Sequence, residues 1–291
     1  MKLISILLPV YNSELFIKKT IDSVLNNTHK AFELIIINDG SEDNSLDIIK
    51  SYDDPRIKLY NKSNSGLIET LNYGIRKCKN EIIMRIDSDD IIHSQKIEKQ
   101  LFMFKKDKVA LLGTEGYTIN NAGEVDSTIN LPSNHDDILK AMMNYNASVI
   151  HPSIMVYKNV LQSVGLYSPY MKHAEDYDLF LRISKIGKIS NLNEKLIYLR
   201  KNENNISHLN AKEQILNTFI AKKYYQDYNY KPISDKIFFK IKNDINENSL
   251  NKLYFFIHSK IVENTYLNKS KNYFTIFFMK IIRRLLRVVM L

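Results

Sequence analysis

Apolar residues fill Leu3–Val10 almost without a break and then give way to Tyr11 and Asn12. Such a run predicts a strand buried on both faces of a parallel sheet. Over Glu14–Asn27, Ile17, Ile21, Val24 and Leu25 recur at helical spacing, with Asn12 or Ser13 as cap. Leu34–Ile37 predicts a second buried strand, stopped by Asn38-Asp39-Gly40. A helix over Asp43–Tyr52, a strand over Arg56–Tyr60 and a helix over Ser65–Lys77 follow. The strand Glu81–Ile86 then runs directly into Asp87-Ser88-Asp89-Asp90.

This β-α-β-α-β order predicts a doubly wound, mostly parallel α/β sheet flanked by helices, with right-handed crossovers. Ligands bind such sheets at the carboxyl ends of the strands, where Asn12, Asp39 and Asp87–Asp90 all fall. Downstream, Gln95–Lys106 reads as a helix and Ala110–Leu131 as a hairpin turning at Asn121-Ala122-Gly123. Asp136–Asn144 reads as a helix, Ser153–Tyr157 as a strand, Asp176–Ile186 as a helix and Lys188–Leu199 as extended chain. From Leu209 onward the pattern is wholly helical. The expected organisation is an α/β domain over residues 1–205 and an all-helical extension over 206–291.

Composition changes this picture little: 44% hydrophobic and 25% charged residues are ordinary for a globular chain. The net charge of +9 is more telling once located. Six Lys or Arg and no acid lie between Asn268 and Leu291, and the first two hundred residues carry no basic stripe, which argues against nucleic acid as partner. Within 276–291, Lys280, Arg283, Arg284 and Arg287 share one helical face among apolar residues. That pattern fits a helix lying on an anionic membrane, or one packed on the domain or on a second subunit. No stretch offers about twenty uncharged apolar residues for a conventional membrane span. The N-terminal apolar run lacks a cleavage site, and the lone Cys78 fits a reducing compartment. The location expected is the cytoplasm, peripheral to the inner face of the cell membrane.

Three clusters can carry chemistry. Asp87 and Asp89 lie two apart, so on extended backbone both carboxylates face one side and suit Mg²⁺ or Mn²⁺. They would equally serve as acids at a helix start. Asp39 is either a turn residue or an acceptor for a nucleobase N–H. Glu175-Asp176 reads as two acids in a first helical turn or as the place of a general base. Among the histidines, His151 is the one expected to line a cleft. No phosphate-binding glycine loop, dinucleotide fingerprint or hydrolase elbow occurs.

The blocks Ser5-Ile6-Leu7-Leu8-Pro9-Val10-Tyr11-Asn12, Ile37-Asn38-Asp39-Gly40-Ser41, Asn64-Ser65-Gly66 with Leu71-Asn72-Tyr73-Gly74-Ile75, Arg85-Ile86-Asp87-Ser88-Asp89-Asp90-Ile91 and Ala174-Glu175-Asp176-Tyr177-Asp178-Leu179 occur in that order. Together they resemble the family 2 glycosyltransferases of the GT-A fold over about residues 3–200. The resemblance implies an inverting transfer from a nucleotide sugar, with UDP as the expected nucleotide, to a glycan or lipid-linked acceptor in bacterial surface-polysaccharide synthesis. It implies that Pro9, Tyr11, Asn12, Asp39 and Gly66 hold the nucleoside and that Arg85, Asp87 and Ser88 lie near ribose and phosphates. Asp89, with Asp87, would ligate a divalent cation. Asp176 would be the base, with Glu175, His151 and Arg200 near sugar or acceptor. His93-Ser94 departs from the family's usual proline there, and no histidine shortly follows Arg200. A nucleotidyltransferase would usually carry a glycine-rich basic loop after the first strand, which Pro9–Glu14 lacks. A non-catalytic sugar-nucleotide or glycan-binding module is the other alternative, against which the intact Asp39, Asp87, Asp89 and Asp176 argue.

Overall fold

A computed structural model describes residues 4–146, 148–201, 211–227 and 231–245. The basic segment 276–291 lies outside them. The chain runs β1 (Ile4–Val10), α1 (Ile17–Leu25), β2 (Phe32–Asp39), α2 (Ser45–Lys50), β3 (Ile57–Lys62), α3 (Leu67–Lys77) and β4 (Ile82–Arg85). It continues through β5 (Ile91–Ile92), α4 (Lys96–Lys106), β6 (Leu111–Ile119), β7 (Val125–Ile129), α5 (His135–Met143) and a 3-10 turn at His151–Ser153. Then come β8 (Met155–Tyr157), α6 (Lys158–Ser163), α7 (Glu175–Ser184), β9 (Ile189–Arg200), α8 (Ala211–Asp227) and α9 (Asp235–Asn243).

One mixed sheet holds these strands in the order β3-β2-β1-β4-β8-β6-β9-β5, with β7 paired to β6. The half β3-β2-β1-β4 is parallel throughout. β8 enters antiparallel between β4 and β6, and β9 lies parallel to β6 and antiparallel to β5. The mostly parallel sheet expected from the periodicity is therefore the first half, and the second half is mixed. The hairpin is present as β6–β7.

The unbroken apolar strands follow from having a core on each face. Ile4, Ile6, Leu8 and Val10 of β1 point with Leu34 and Ile36 of β2 toward α1, α2 and α4. Leu7, Ile35 and Ile37 point the other way, toward α3, α5, α6 and α7. Each strand thus feeds two cores by the two-residue alternation of its pleat. Ile220, Ala221 and Tyr224 of α8 and Phe238 and Ile241 of α9 join the second core. Gly74 lets α3 lie close on the sheet, since a Cβ there would sit 2.2 Å from Leu7 Cδ1.

Pro9 lies in a central strand without breaking it, because β1 pairs β4 only through Leu7. Beyond that point its missing N–H removes nothing from the ladder on that side. Two features were not expected from the pattern. β5 has only two residues, too few to show a period, and α6 follows β8 directly at Tyr157. Among the described residues, no helix is long and apolar enough to cross a membrane.

Candidate active site

The carboxyl ends of β1, β2 and β4 open on one end of the sheet, as parallel connections require. Just beyond β1 stands Asn12, whose backbone is left-handed at φ 47. Asn is tolerated there, and its short side chain braces a distant loop: Oδ1 accepts from the Glu42 N–H at 2.8 Å, while the Asn12 N–H donates to Ser41 Oγ at 3.0 Å. Ser41 donates in turn to Asn38 Oδ1 at 2.6 Å. The loops after β1 and β2 are thereby tied together, with Tyr11 standing 48% exposed at their rim.

Asp39 closes β2 and is almost fully enclosed. Its Oδ1 accepts from the Ser65 N–H at 2.9 Å, its Oδ2 from the Gly66 N–H at 3.0 Å, and Lys62 of β3 pairs with it. Gly40, at φ 70, is required beside it, since a Cβ would lie 2.7 Å from the Asn64 nitrogen. Gly66 at φ 84 starts α3. The residues expected around a nucleoside are therefore together, and Asp39 braces the loop into α3. Lys62, which completes this arrangement, carried no sequence signal: it ends an ordinary edge strand.

β4 runs into the acidic loop. Arg85 is buried and pairs with Asp87 through Nη2, while its Nε and Nη1 have no protein hydrogen-bond partner. Burial works against the Arg85 charge, but Asp87, Tyr167, Glu175 and Asp90 outweigh it and hold the guanidinium protonated. Ser88 Oγ meets Ser13 Oγ at 2.6 Å, and Thr20 Oγ1 donates to the carbonyls of Ser88 and Asp90 at 2.9 and 2.8 Å. Asp89 is pushed up to about 6 by burial and by the neighbouring Asp87 charge. Asp90 is also raised well above the usual carboxylate range, by burial and by Asp87 and Asp89; one oxygen accepts the Arg200 N–H at 3.0 Å and the other has no protein partner.

Arg200 ends β9 beneath this loop. Its Nε donates to the Asp89 carbonyl at 2.9 Å, its Nη1 to the carbonyls of Asn120 and Asn121, and its guanidinium lies 4.4 Å from the Phe16 ring centre. The side chain expected near sugar or acceptor thus latches the acidic loop to the hairpin turn.

The third cluster opens α7. Its first turn carries Glu175, Asp176 and Asp178, where the helix dipole favours acids. Asp178 is committed to a fully buried ion pair with Arg182, which also donates to the Val164 carbonyl at 2.6 Å. Glu175 is buried and pushed up to about 7 by burial and by Asp176. Asp176 is raised by burial, opposed by the Tyr177 N–H and by Arg85; its side chain stays 36% exposed, so a solvent-side hydroxyl can reach it. His151 is buried with Nε2 2.7 Å from the Tyr167 hydroxyl and Nδ1 4.0 Å from Asp176 Oδ2. Burial and Arg85 hold the imidazole well below its ordinary pKa, hence neutral. Tyr167 gave no sequence signal, because it belongs to the site only through a partner sixteen residues away.

Two ends emerge, one neutral and fully hydrogen-bonded around Asp39, the other crowded with carboxylates around Arg85. Among the described residues, no three His, Cys, Asp or Glu side chains converge as a ready-made metal cage. Comparison with known proteins identifies the family. Residues 5–165 match the glycosyl transferase family 2 model. An uncharacterized glycosyltransferase of Haemophilus influenzae is 32% identical over 226 residues, 73% of this chain and 69% of that protein. The O-antigen biosynthesis glycosyltransferase WbnJ of Escherichia coli is 34% identical over 186 residues, 62% of this chain and 71% of WbnJ. In fold, the chain is similar to S. aureus TarS 1–349 crystallised with UDP-GlcNAc, at a TM-score of 0.63 and 21% identity, covering 79% of this chain and 68% of that one. A family match over more than half its length, a relative this similar and strand ends placed as described lead to one assignment: the chain belongs to glycosyl transferase family 2 and is a glycosyltransferase.

Proposed function

We propose that the chain transfers a sugar from a UDP-sugar to a hydroxyl of a glycan or lipid-linked acceptor in surface-polysaccharide synthesis, with inversion and with Asp176 as base. The observation that carries it is the partly exposed Asp176 at the start of α7, facing the Arg85 and Asp87 charges at the end of β4 and just beyond it. In the step, the acceptor O–H gives its proton to Asp176 as the oxygen bonds to the anomeric carbon. The bond from that carbon to the diphosphate oxygen breaks on the opposite face, and its electron pair leaves with UDP. An α-linked donor then gives a β-linkage. The transition state is oxocarbenium-like, as in glycoside hydrolysis.

The donor end would be occupied by the nucleoside, between Tyr11, Asn12 and the Asp39 loop, with Pro9 fixing the floor and Gly66 the start of α3. That TarS, similar in fold, was crystallised with UDP-GlcNAc supports a UDP-sugar donor, and the order of blocks along the chain supports the placement. A divalent cation fits the acidic loop by the chemistry of its donors. Asp87 and Asp89 offer hard oxygens, and Asp89 sits in a buried, negative surrounding that a cation would relieve. Those two residues would hold Mg²⁺ or Mn²⁺. Such a cation, when bound, supplies Lewis-acid stabilisation of charge on the departing diphosphate. Buried Arg85, whose Nε and Nη1 have no protein partner, would add donors near the same charge. Contact of residues 276–291 with anionic lipid completes the reading, supported by sequence pattern alone.

Thermal unfolding with Mn²⁺ and UDP, in wild type and Asp89→Ala, tests it. At a hundred times its dissociation constant, UDP stabilises the fold by about 2.7 kcal/mol, and the shift disappears in the variant. No stabilisation of the wild type by UDP would remove UDP-sugars as donors.

A further inference from the structure

His151 and Tyr167 lie buried beside Asp176, and neither takes part in the transfer step as written. Their placement is over-determined. Lys96 Nζ and Gln100 Nε2 both donate to the Ser153 carbonyl, at 2.9 and 2.8 Å, and the Thr114 N–H donates to Ser153 Oγ at 3.0 Å. These bonds fix the 3-10 turn that carries His151. Tyr167 is fixed through its backbone: its N–H donates to Asn72 Oδ1 at 3.0 Å and its carbonyl accepts from Asn72 Nδ2 at 2.9 Å. The His151 ring also meets the Phe180 ring edge-to-face at 5.8 Å, which sets its plane.

This geometry selects a tautomer. A lone pair on Nδ1 would face the Asp176 carboxylate and be repelled, whereas an N–H there is attracted. With the proton on Nδ1, Nε2 is a bare acceptor and takes the Tyr167 O–H at 2.7 Å. The groups facing Asp176 are then Glu175 on its own helix, Arg85 of β4, Asp87 just beyond it, Tyr167 before α7 and His151 from the 3-10 turn. Arg85 spends only Nη2, on Asp87, and the imidazole is the neutral group of the set whose ring nitrogen faces the carboxylate. We propose that His151, held in its Nδ1–H form by Tyr167, is a positioning residue that orients the Asp176 carboxylate and favours its ionised state. The 4.0 Å separation narrows to a hydrogen bond by a small rotation of Asp176, of the kind catalytic contacts make when substrate binds. Burial and the Arg85 charge, which keep the imidazole neutral, agree with this role.

The inference rests on Asp176 as base, yet it can be tested without turnover, so the two can fail separately. Full-length chain labelled with ¹⁵N-histidine and ¹³C-aspartate is titrated by NMR as wild type, His151→Leu, His151→Asn and Tyr167→Phe, with thermal midpoints taken on the same samples. In the wild type, Nδ1 carries the proton and Nε2 does not. Tyr167→Phe mixes the tautomers. His151→Leu moves the Asp176 titration upward by about one pH unit. His151→Asn restores most of that shift, because its amide N–H falls where Nδ1 was. An Nε2–H tautomer in the wild type overturns the proposal. So does an Asp176 titration unmoved in His151→Leu, even with a lowered midpoint, since that is a packing role. Should His151→Leu not fold, the tautomer in Tyr167→Phe decides alone: an unchanged Nδ1–H form refutes the part given to Tyr167.

Discussion

The two ends of the site are built on opposite principles. Around Asp39 every oxygen has its donor: two backbone N–H groups and Lys62 satisfy one carboxylate, and a relay of hydrogen bonds runs from Asn12 through Ser41 to Asn38. Around Arg85 the charges are left in conflict. Asp89, Asp90, Glu175 and Asp176 are all raised, each by burial first and three of them by a like-charged neighbour next. The first end therefore supports the fold while the second draws on it, as is common where catalytic groups are concentrated. Carboxylates with the same formal charge are worth opposite amounts to the folded state, according to what faces them.

Substitutions can break that contrast. The largest effect expected is on rate: Asp176→Asn lowers transfer by roughly two to four orders of magnitude while UDP binding, read by thermal shift, persists. Its midpoint without ligand holds or rises, since a carboxylate crowded by Glu175 and Asp87 loses its charge. A lower midpoint would place Asp176 with Asp39 as a structural carboxylate. Next is Asp39→Ala, which strands Lys62 and two N–H groups and lowers stability by about 3 kcal/mol in chemical denaturation. A neutral result would dissolve the contrast from the other side. The smallest effect concerns pH. Glu175 has its folded pKa raised from 4.5 to about 7, so between those values the folded chain keeps a proton that the unfolded chain releases. Stability accordingly falls as pH rises across that window, and Glu175→Gln flattens the slope. Parallel slopes for wild type and variant in urea titrations from pH 4.5 to 7.5 would show that Glu175 is not the residue responsible.

What could be read from the sequence divides along the same line. β1, β2 and β4 were legible because burial on two faces leaves an unbroken apolar run, and helices α1 and α3 because their apolar residues recur at helical spacing. β5 was not, since two residues have no period, and neither was α6, which has no turn residue ahead of it. Of the site, the carboxylates could be named from their blocks, but not what faces them. Lys62, Tyr167 and the Arg200 latch act through partners distant in sequence, and no local pattern records such a pairing. Asp39 shows the limit well: turn chemistry and ligand binding were alternatives on paper, and its bonds to Ser65 and Gly66 make it the brace of a loop.

The pairing of β6 with β9 has a consequence for how the chain is made. The strands of the Asp39 end, β3-β2-β1-β4, are complete once about residue 85 has left the ribosome, and they can pair as they emerge. β6 must wait with one edge bare until β9 arrives, with Gly116 meeting Ile197 and Ile119 meeting Arg200. A bare strand edge is an invitation to wrong partners, and contacts so distant along the chain form slowly. Synthesis from the N-terminus thus finishes the Asp39 end early and latches the acidic loop last, when Arg200 reaches the Asp89 carbonyl. Newly made chains pass through a stage in which the sheet can already stand but the carboxylates that would do the chemistry are not yet in place.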